Sequence, residues 1–247
     1  TRDDLIYLAK LAEQTERYKE MKDAMYQMAK MNVDMTVEER NLLSVAYRNL
    51  VGERRASWRI IKSIQDNEES KGNQQHLLLI AEFRSKIEEE LNIICDEVFS
   101  LLKDHLLPAS TQQCDAKTFY HKLAGDYLRY KAEVTPVGEA HRQVSELSMK
   151  EYEKAMEEAN QSMPRTHPIR LGLALSYAVF YYEILNRPEK AIELAKNTFD
   201  GAIADLDGLP DNEYRDATLI MQMLRDNMTL WTAEMDDHSN QEHDNDQ

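Results

Sequence analysis

Glycine and proline are both scarce, at seven and six residues in a chain of 247. So few turn formers exclude a fold built from many short strands, and no alternating strand pattern is found. Only two cysteines occur, Cys95 and Cys114, which excludes a disulfide framework and suggests a reducing compartment. No apolar run approaches the roughly 20 residues of a membrane-spanning helix. The opening stretch TRDDLIYLAK lacks the features of a signal peptide, and the absence of an initiating Met suggests a trimmed start. Basic residues are in the minority, 30 Lys and Arg against 45 Asp and Glu, which gives a net charge of −15. That balance argues against general affinity for nucleic acid or acidic membranes. Catalytic patterns are lacking as well: there is no P-loop, no GxGxxG and no HExxH. The seven histidines are scattered, and none pairs with a cysteine at ligand spacing. No enzymatic activity, metal or cofactor is expected.

What is present is Glu, Lys, Ala, Leu and Met, with 30% of residues charged. This is the composition of an all-α protein. No proline precedes Pro108; then Pro108, Pro136, Pro164, Pro168, Pro188 and Pro210 cut the second half into pieces of helical size. The pattern predicts nine helices, at about 2–15, 18–30, 37–65, 76–106, 112–131, 137–161, 166–185, 188–203 and 211–233. Thr1 with Asp4, and Thr36 with Glu39, have capping-box spacing. The polar stretch Asp66–Gln75 reads as a loop. In the fourth helix Ile80, Ile87, Ile94 and Leu101 repeat every seven residues, with Leu91 and Val98 between them. That seam predicts lengthwise packing on another helix. Short connections predict antiparallel neighbours. Residues 1–233 form the helical domain. The tail, Glu234–Gln247, is acidic without Lys or Arg and is expected to be disordered.

Two charged stripes stand out. In the third helix Arg48, Arg55 and Arg59 fall at i, i+7 and i+11, within roughly 20° of one line. Like charges on one face need compensation, either from carboxylates of neighbouring helices or from a bound anion. In the fifth helix Lys122, Asp126, Arg129 and Tyr130 share a face. Lys, Arg and Tyr hydroxyl all donate to phosphate oxygens. Apolar stripes follow: Leu171, Leu175 and Val179 in the seventh helix, and Leu219, Ile220, Met223 and Trp231 in the ninth. Such stripes are ordinarily core, but Asn227 shares the last one and needs hydrogen-bond partners if buried.

NLLSVAYRN, RRASWRI, FYHKLAGDYLRYKAE, HPIRLGLALSYAVFYYEILN and DATLIMQMLRDNMTLWTA closely resemble the 14-3-3 family. The resemblance runs from about Leu5 to about Ala233. It implies nine antiparallel helices in an L-shaped protomer that dimerises into a cup. It further implies an amphipathic groove that holds a phosphoserine or phosphothreonine peptide in extended form. Arg55, Arg129 and Tyr130 match the family's phosphate-binding residues, and Arg48 stands where most members have Lys. Lys122 and Arg59 match further basic groove residues. Leu175, Val179, Leu219, Ile220 and Met223 match the apolar wall, although Met223 is usually Leu. Glu183, Asn227 and Trp231 match residues that hold the peptide backbone and its flanks. Ser176 departs from the Asn usual in the family.

For the dimer, the resemblance implies cross-protomer pairs of Arg17 with Glu90 and of Glu20 with Lys86, around Leu11, Thr15, Ser57 and Phe83. Phe83 is commonly Tyr in the family. RRAS places basic residues ahead of Ser57, which suits a basophilic kinase. The implied partners are phosphorylated client proteins or peptides and a second 14-3-3 subunit, identical or not, with neither nucleic acid nor membrane. The implied location is cytoplasmic and also nuclear. A helical scaffold for unmodified peptides stays open as the alternative, and dependence on phosphate separates the two. Any turnover above background would support an enzyme instead.

Overall fold

The computed structural model describes the backbone of residues 1–110 and 114–245, and every regular element among them is helical. The first helices are α1 (Arg2–Gln14), α2 (Tyr18–Ala29) and α3 (Val37–Lys71). Next is α4 (Gln74–Leu101), which continues through a π-helical stretch, Leu102–Leu106, and a last turn, Leu107–Ala109. Then come α5 (Cys114–Val134), α6 (Glu139–Ser162), α7 (Pro168–Glu183), α8 (Pro188–Ala204) and α9 (Asp211–Asn245). Both expected capping boxes form. The Thr1 and Thr36 hydroxyls accept from the amides of Asp4 and Glu39, and those carboxylates answer in return. Pro168 and Pro188 open α7 and α8 from positions where a missing N–H costs no hydrogen bond.

Three boundaries differ from the sequence reading. The stretch expected as a loop is mostly helix: α3 runs on to Lys71, and the turn is Gly72 and Asn73 alone. The Gln65 amide donates to Glu69 at 2.7 Å and Lys71 pairs with Glu68 at 2.9 Å, so these polar side chains support one another along a solvated helix. Gly72, at φ 69°, ends it in the left-handed conformation, and the Asn73 side chain caps α4. Near Pro108 the chain stays helical beyond the expected end. A proline lacks the N–H of an α-helical bond, and the π-helical stretch just before it shifts the ladder by one residue. Lastly, α9 continues past Ala233 to Asn245, where a disordered tail was expected. No Gly or Pro follows Pro210 to stop it. Residues 246–247 lie outside the described part.

Contacts divide the chain into two compact units. The first comprises residues 1–116 and 130–144. In it α1 packs on α2, α2 on α3 and α3 on α4. Met21, Met25 and Met28 are buried from α2, and Ile80, Ile87, Leu91, Val98 and Leu101 are buried from the predicted seam of α4. Arg40 is buried as well, its guanidinium donating to the Met35 carbonyl at 3.0 Å and to Asp115 at 2.9 Å. A charge removed from water needs such partners.

The second unit comprises residues 117–129 and 145–247. In it α7, α8 and α9 pack mutually around Leu171, Ala178, Ala195, Met221 and Leu224. Tyr152 of α6 stacks on Tyr177 of α7 at 5.1 Å between ring centroids, with Phe180 beside them. Gly125 makes this approach possible, since a Cβ there would lie 2.8 Å from the Tyr152 ring. The Ser148 hydroxyl donates to the Gly125 carbonyl at 2.9 Å and fixes the register.

Candidate functional site

The arginine face of α3 lies in the first unit. The Arg55 Nε donates to Glu133 at 2.8 Å, and Arg59 donates to the other oxygen of that carboxylate from Nε at 2.8 Å and from its terminal nitrogen at 2.6 Å. The Arg55 guanidinium also rests over the Tyr130 ring, 4.0 Å from its centroid. Tyr130 and Glu133 sit one turn apart on α5, so a single helix turn holds Arg55 from two directions. Burial by itself would raise the Glu133 carboxyl, but the charges of Arg55 and Arg59 and their hydrogen bonds hold it below the usual range. Arg54, next in sequence, turns elsewhere and pairs with Glu53 and Glu90. Arg48 is exposed; its side-chain contact is the Ser44 hydroxyl at 3.4 Å, and among the described residues it has no carboxylate partner.

Internal pairing therefore accounts for Arg55 and Arg59 and leaves Arg48 over. The face keeps surplus positive charge on a chain of net charge −15.

The α5 stripe from Lys122 to Arg129 lies in the second unit. Lys122 pairs with Asp126 at 2.7 Å. The Tyr152 hydroxyl donates to the other Asp126 oxygen at 2.7 Å and accepts from the Arg129 Nε at 3.2 Å. Carboxylates of Asp126 and Glu183 stand 3.8 and 3.6 Å from the terminal nitrogens of Arg129. Burial works to raise the Asp126 carboxyl, yet Lys122 and Arg129, with the hydrogen bonds from Lys122 and Tyr152, keep it lowered. The same burial, with the Asp126 charge beside it, pushes the Tyr152 phenol well up. It stays protonated and keeps its donor.

The apolar wall also lies in the second unit. Leu175, Val179 and Ile220 are half-buried against the α7–α9 core, whereas Leu219 and Met223 are 62% and 47% exposed. Trp231 is buried, its ring stacked on Tyr182 at 4.8 Å, so it backs the wall from within the core. Ser176 and Asn227 are half-buried, and among the described residues neither side chain has a hydrogen-bond partner.

The residues assigned to a dimer contact all lie in the first unit. Leu11 and Phe83 are 42% and 59% exposed, and Thr15, Arg17, Glu20, Ser57, Lys86 and Glu90 are exposed too. Leu8, Ile60, Ile64, Leu78 and Leu79 add further exposed apolar surface on three of the helices that carry these residues, α1, α3 and α4. Within the single chain Arg17 pairs with Glu20, and Glu90 accepts from Arg54.

Glu133 and Tyr152 were missed in the sequence. Glu133 was within reach, because it continues the α5 stripe seven residues beyond Asp126. Tyr152 carried no signal, since only packing brings it against Asp126.

Among the described residues the architecture is all helical, and comparison with known proteins places it in a family. The family model described as "14-3-3 protein" matches residues 8–232. The 14-3-3 family protein artA of Aspergillus flavus is 55% identical over 231 residues, covering 94% of this chain and 96% of that protein. Similar figures hold for 14-3-3 protein 7 of Solanum lycopersicum, 53% identical over 236 residues with 96% and 93% covered. For 14-3-3 protein 3 of Entamoeba histolytica the identity is 53% over 238 residues, with 96% and 98% covered. The chain belongs to the 14-3-3 family.

Proposed function

We propose that this protein is a dimeric adaptor that binds phosphoserine or phosphothreonine segments of client proteins and has no catalytic activity of its own. Family membership supports a phosphopeptide-binding role in general; clusters of arginine reading phosphorylated motifs are a recognition mode for which 14-3-3 proteins are themselves a standing example. The observation that carries the specific reading is the uncompensated charge of the α3 face. Arg55 and Arg59 share one carboxylate, Glu133, and among the described residues Arg48 has none. A phosphomonoester brings about −1.5 to −2 charges and three acceptor oxygens, and guanidinium groups match it with paired hydrogen bonds. By resemblance to the family, Arg129, Tyr130, Lys122 and Glu183 are further polar contacts to the client in this reading. Asn227 and Ser176 offer unpaired polar side chains to a peptide backbone, and Leu175, Val179, Leu219, Ile220 and Met223 offer the apolar wall. The acidic remainder of the surface repels unphosphorylated acidic segments.

The exposed Leu219 and Met223 favour a second reading, a scaffold for unmodified amphipathic peptides. Calorimetry with one peptide in phosphorylated and unphosphorylated form separates the two. The adaptor predicts much tighter binding of the phosphorylated form, and equal affinities would sink it. The exposed apolar surface of α1, α3 and α4 supports the dimer. There Arg17 and Glu20 would exchange their internal pairing for Glu90 and Lys86 across the interface; exposed ion pairs contribute only about 0–1 kcal/mol, so the apolar contacts must dominate. Sedimentation showing a monomer at micromolar concentration would remove it. Two sites on one frame would strengthen binding to doubly phosphorylated clients by about 10²–10⁴. A cytoplasmic location, extending to the nucleus, fits this role.

A further inference from the structure

Along its axis, the arginine face of α3 has a glycine between Arg48 and Arg55. Val45, Arg48, Gly52, Arg55 and Arg59 follow helical spacing, and at about 100° per residue Gly52 points within about 60° of both Arg48 and Arg55. Along the axis it lies about 6 Å from Arg48 and about 4.5 Å from Arg55, at about 1.5 Å per residue. A glycine in the interior of a 35-residue helix weakens that helix relative to alanine. The fold gives no reason for it. Gly72 is needed for its positive φ, and Gly125 for the Tyr152 ring that lies against it. Gly52 has neither need: its φ is not positive, and a Cβ built there has nothing within 4 Å.

We propose that Gly52 is a specificity-determining residue of the anion site. Its missing side chain is the space into which the phosphorylated residue of a client settles between Arg48 and Arg55. This inference rests on the phosphopeptide reading above. A side chain at position 52 would rise from the helix surface between the two arginine positions along the axis and prop the phosphate away from both. The short stem of phosphoserine or phosphothreonine makes the clearance matter, because the client backbone must come down close to the helix for the phosphate oxygens to reach either arginine.

The test uses the full chain with Gly52→Ala and Gly52→Leu. Both introduced residues are better helix formers, so the thermal midpoint should rise in each. Affinity for a phosphoserine peptide, measured by fluorescence anisotropy, should fall about fivefold for Ala and more than fiftyfold for Leu. Weak binding of the unphosphorylated peptide should not change. Variants that bind the phosphopeptide as tightly as the wild type would overturn the assignment. So would variants whose thermal midpoint falls together with affinity, because the fold would then be what requires the glycine. A wild-type protein that ignores phosphorylation would overturn the adaptor reading itself, and this assignment with it; that outcome shows in the wild-type arm alone.

Discussion

Arg55 and Arg129 are the same residue type held in two opposite ways. Arg55 is half-buried and tied to a carboxylate, Glu133, that it shares with Arg59. Arg129 is buried and donates its Nε to a neutral phenol, Tyr152, which passes the bond on to Asp126. The first arrangement is electrostatic, and an incoming anion can compete for it. The second is a packed network with the Tyr152 ring locked between Gly125 and Tyr177, so it is fixed by the core. The difference shows two routes to a pre-positioned guanidinium. One leaves the cation charge-compensated by a shared carboxylate. The other spends buried polar groups, which stay in place only while all of them are satisfied.

The largest effect should come from removing either guanidinium. Arg55→Ala and Arg129→Ala should each weaken phosphoserine-peptide binding about 10–100-fold, since a hydrogen bond to a charged group contributes about 1.5–3 kcal/mol. The two should part in stability. Arg129→Ala strips partners from buried Asp126 and Tyr152 and should lower unfolding free energy by roughly 1–3 kcal/mol. Arg55→Ala leaves Glu133 with Arg59 and should cost less than about 1 kcal/mol. Calorimetry and urea unfolding read the two quantities. Equal stability losses would erase the contrast, and unchanged affinity would remove that arginine from the site.

The acid limb of stability sharpens the same contrast. Glu133 and Asp126 both have folded-state pKa values below their ordinary ones, 4.5 and 3.8. In that range the unfolded state binds more protons, so their contribution is complete above about pH 5. It is lost as pH falls through the lowered folded-state values. Glu133→Gln should therefore be less stable than the wild type at pH 7, by about 1 kcal/mol, with the gap closing towards pH 3. A gap that persists unchanged at pH 3 would mean that Glu133 acts by shape and not by charge.

Much of this was legible in the sequence, for identifiable reasons. Helical spacing alone put Arg48, Arg55 and Arg59 on one face, and Thr1 and Thr36 announced two helix starts that the structure forms. The same count along α5 would have reached Glu133. The segment Asp66–Lys71 was misread because a solvated helix and a loop share a polar composition; the deciding residue was Gly72, whose positive φ ends the helix. The division into two units within α5, after Arg129, has no mark in the sequence, because no helix breaker stands there. Tyr152 was out of reach for a related reason. Which rung of α6 meets Gly125 is decided by ring packing between helices, not by any local pattern.

The smallest effect concerns a single polar residue of the apolar wall. Ser176 of α7 is half-buried, and among the described residues its hydroxyl makes no hydrogen bond. Asn would offer both a carbonyl acceptor and an NH₂ donor, and so could pair with a peptide bond from both sides; Ser has one short hydroxyl. Asn227, equally unpaired on α9, remains to anchor an extended peptide. A neutral hydrogen bond nets about 0.5–1.5 kcal/mol, and a water bridging Ser176 to the peptide would recover part of that. Ser176→Asn should therefore tighten binding of generic phosphopeptides about two- to tenfold, with their rank order unchanged in competition calorimetry. Unchanged or weaker binding would mean that a bridging water or a repacked wall already compensates. Ser176 would then be fitted to this protein's own clients, and its departure from Asn would be a choice of ligand and not a lost contact.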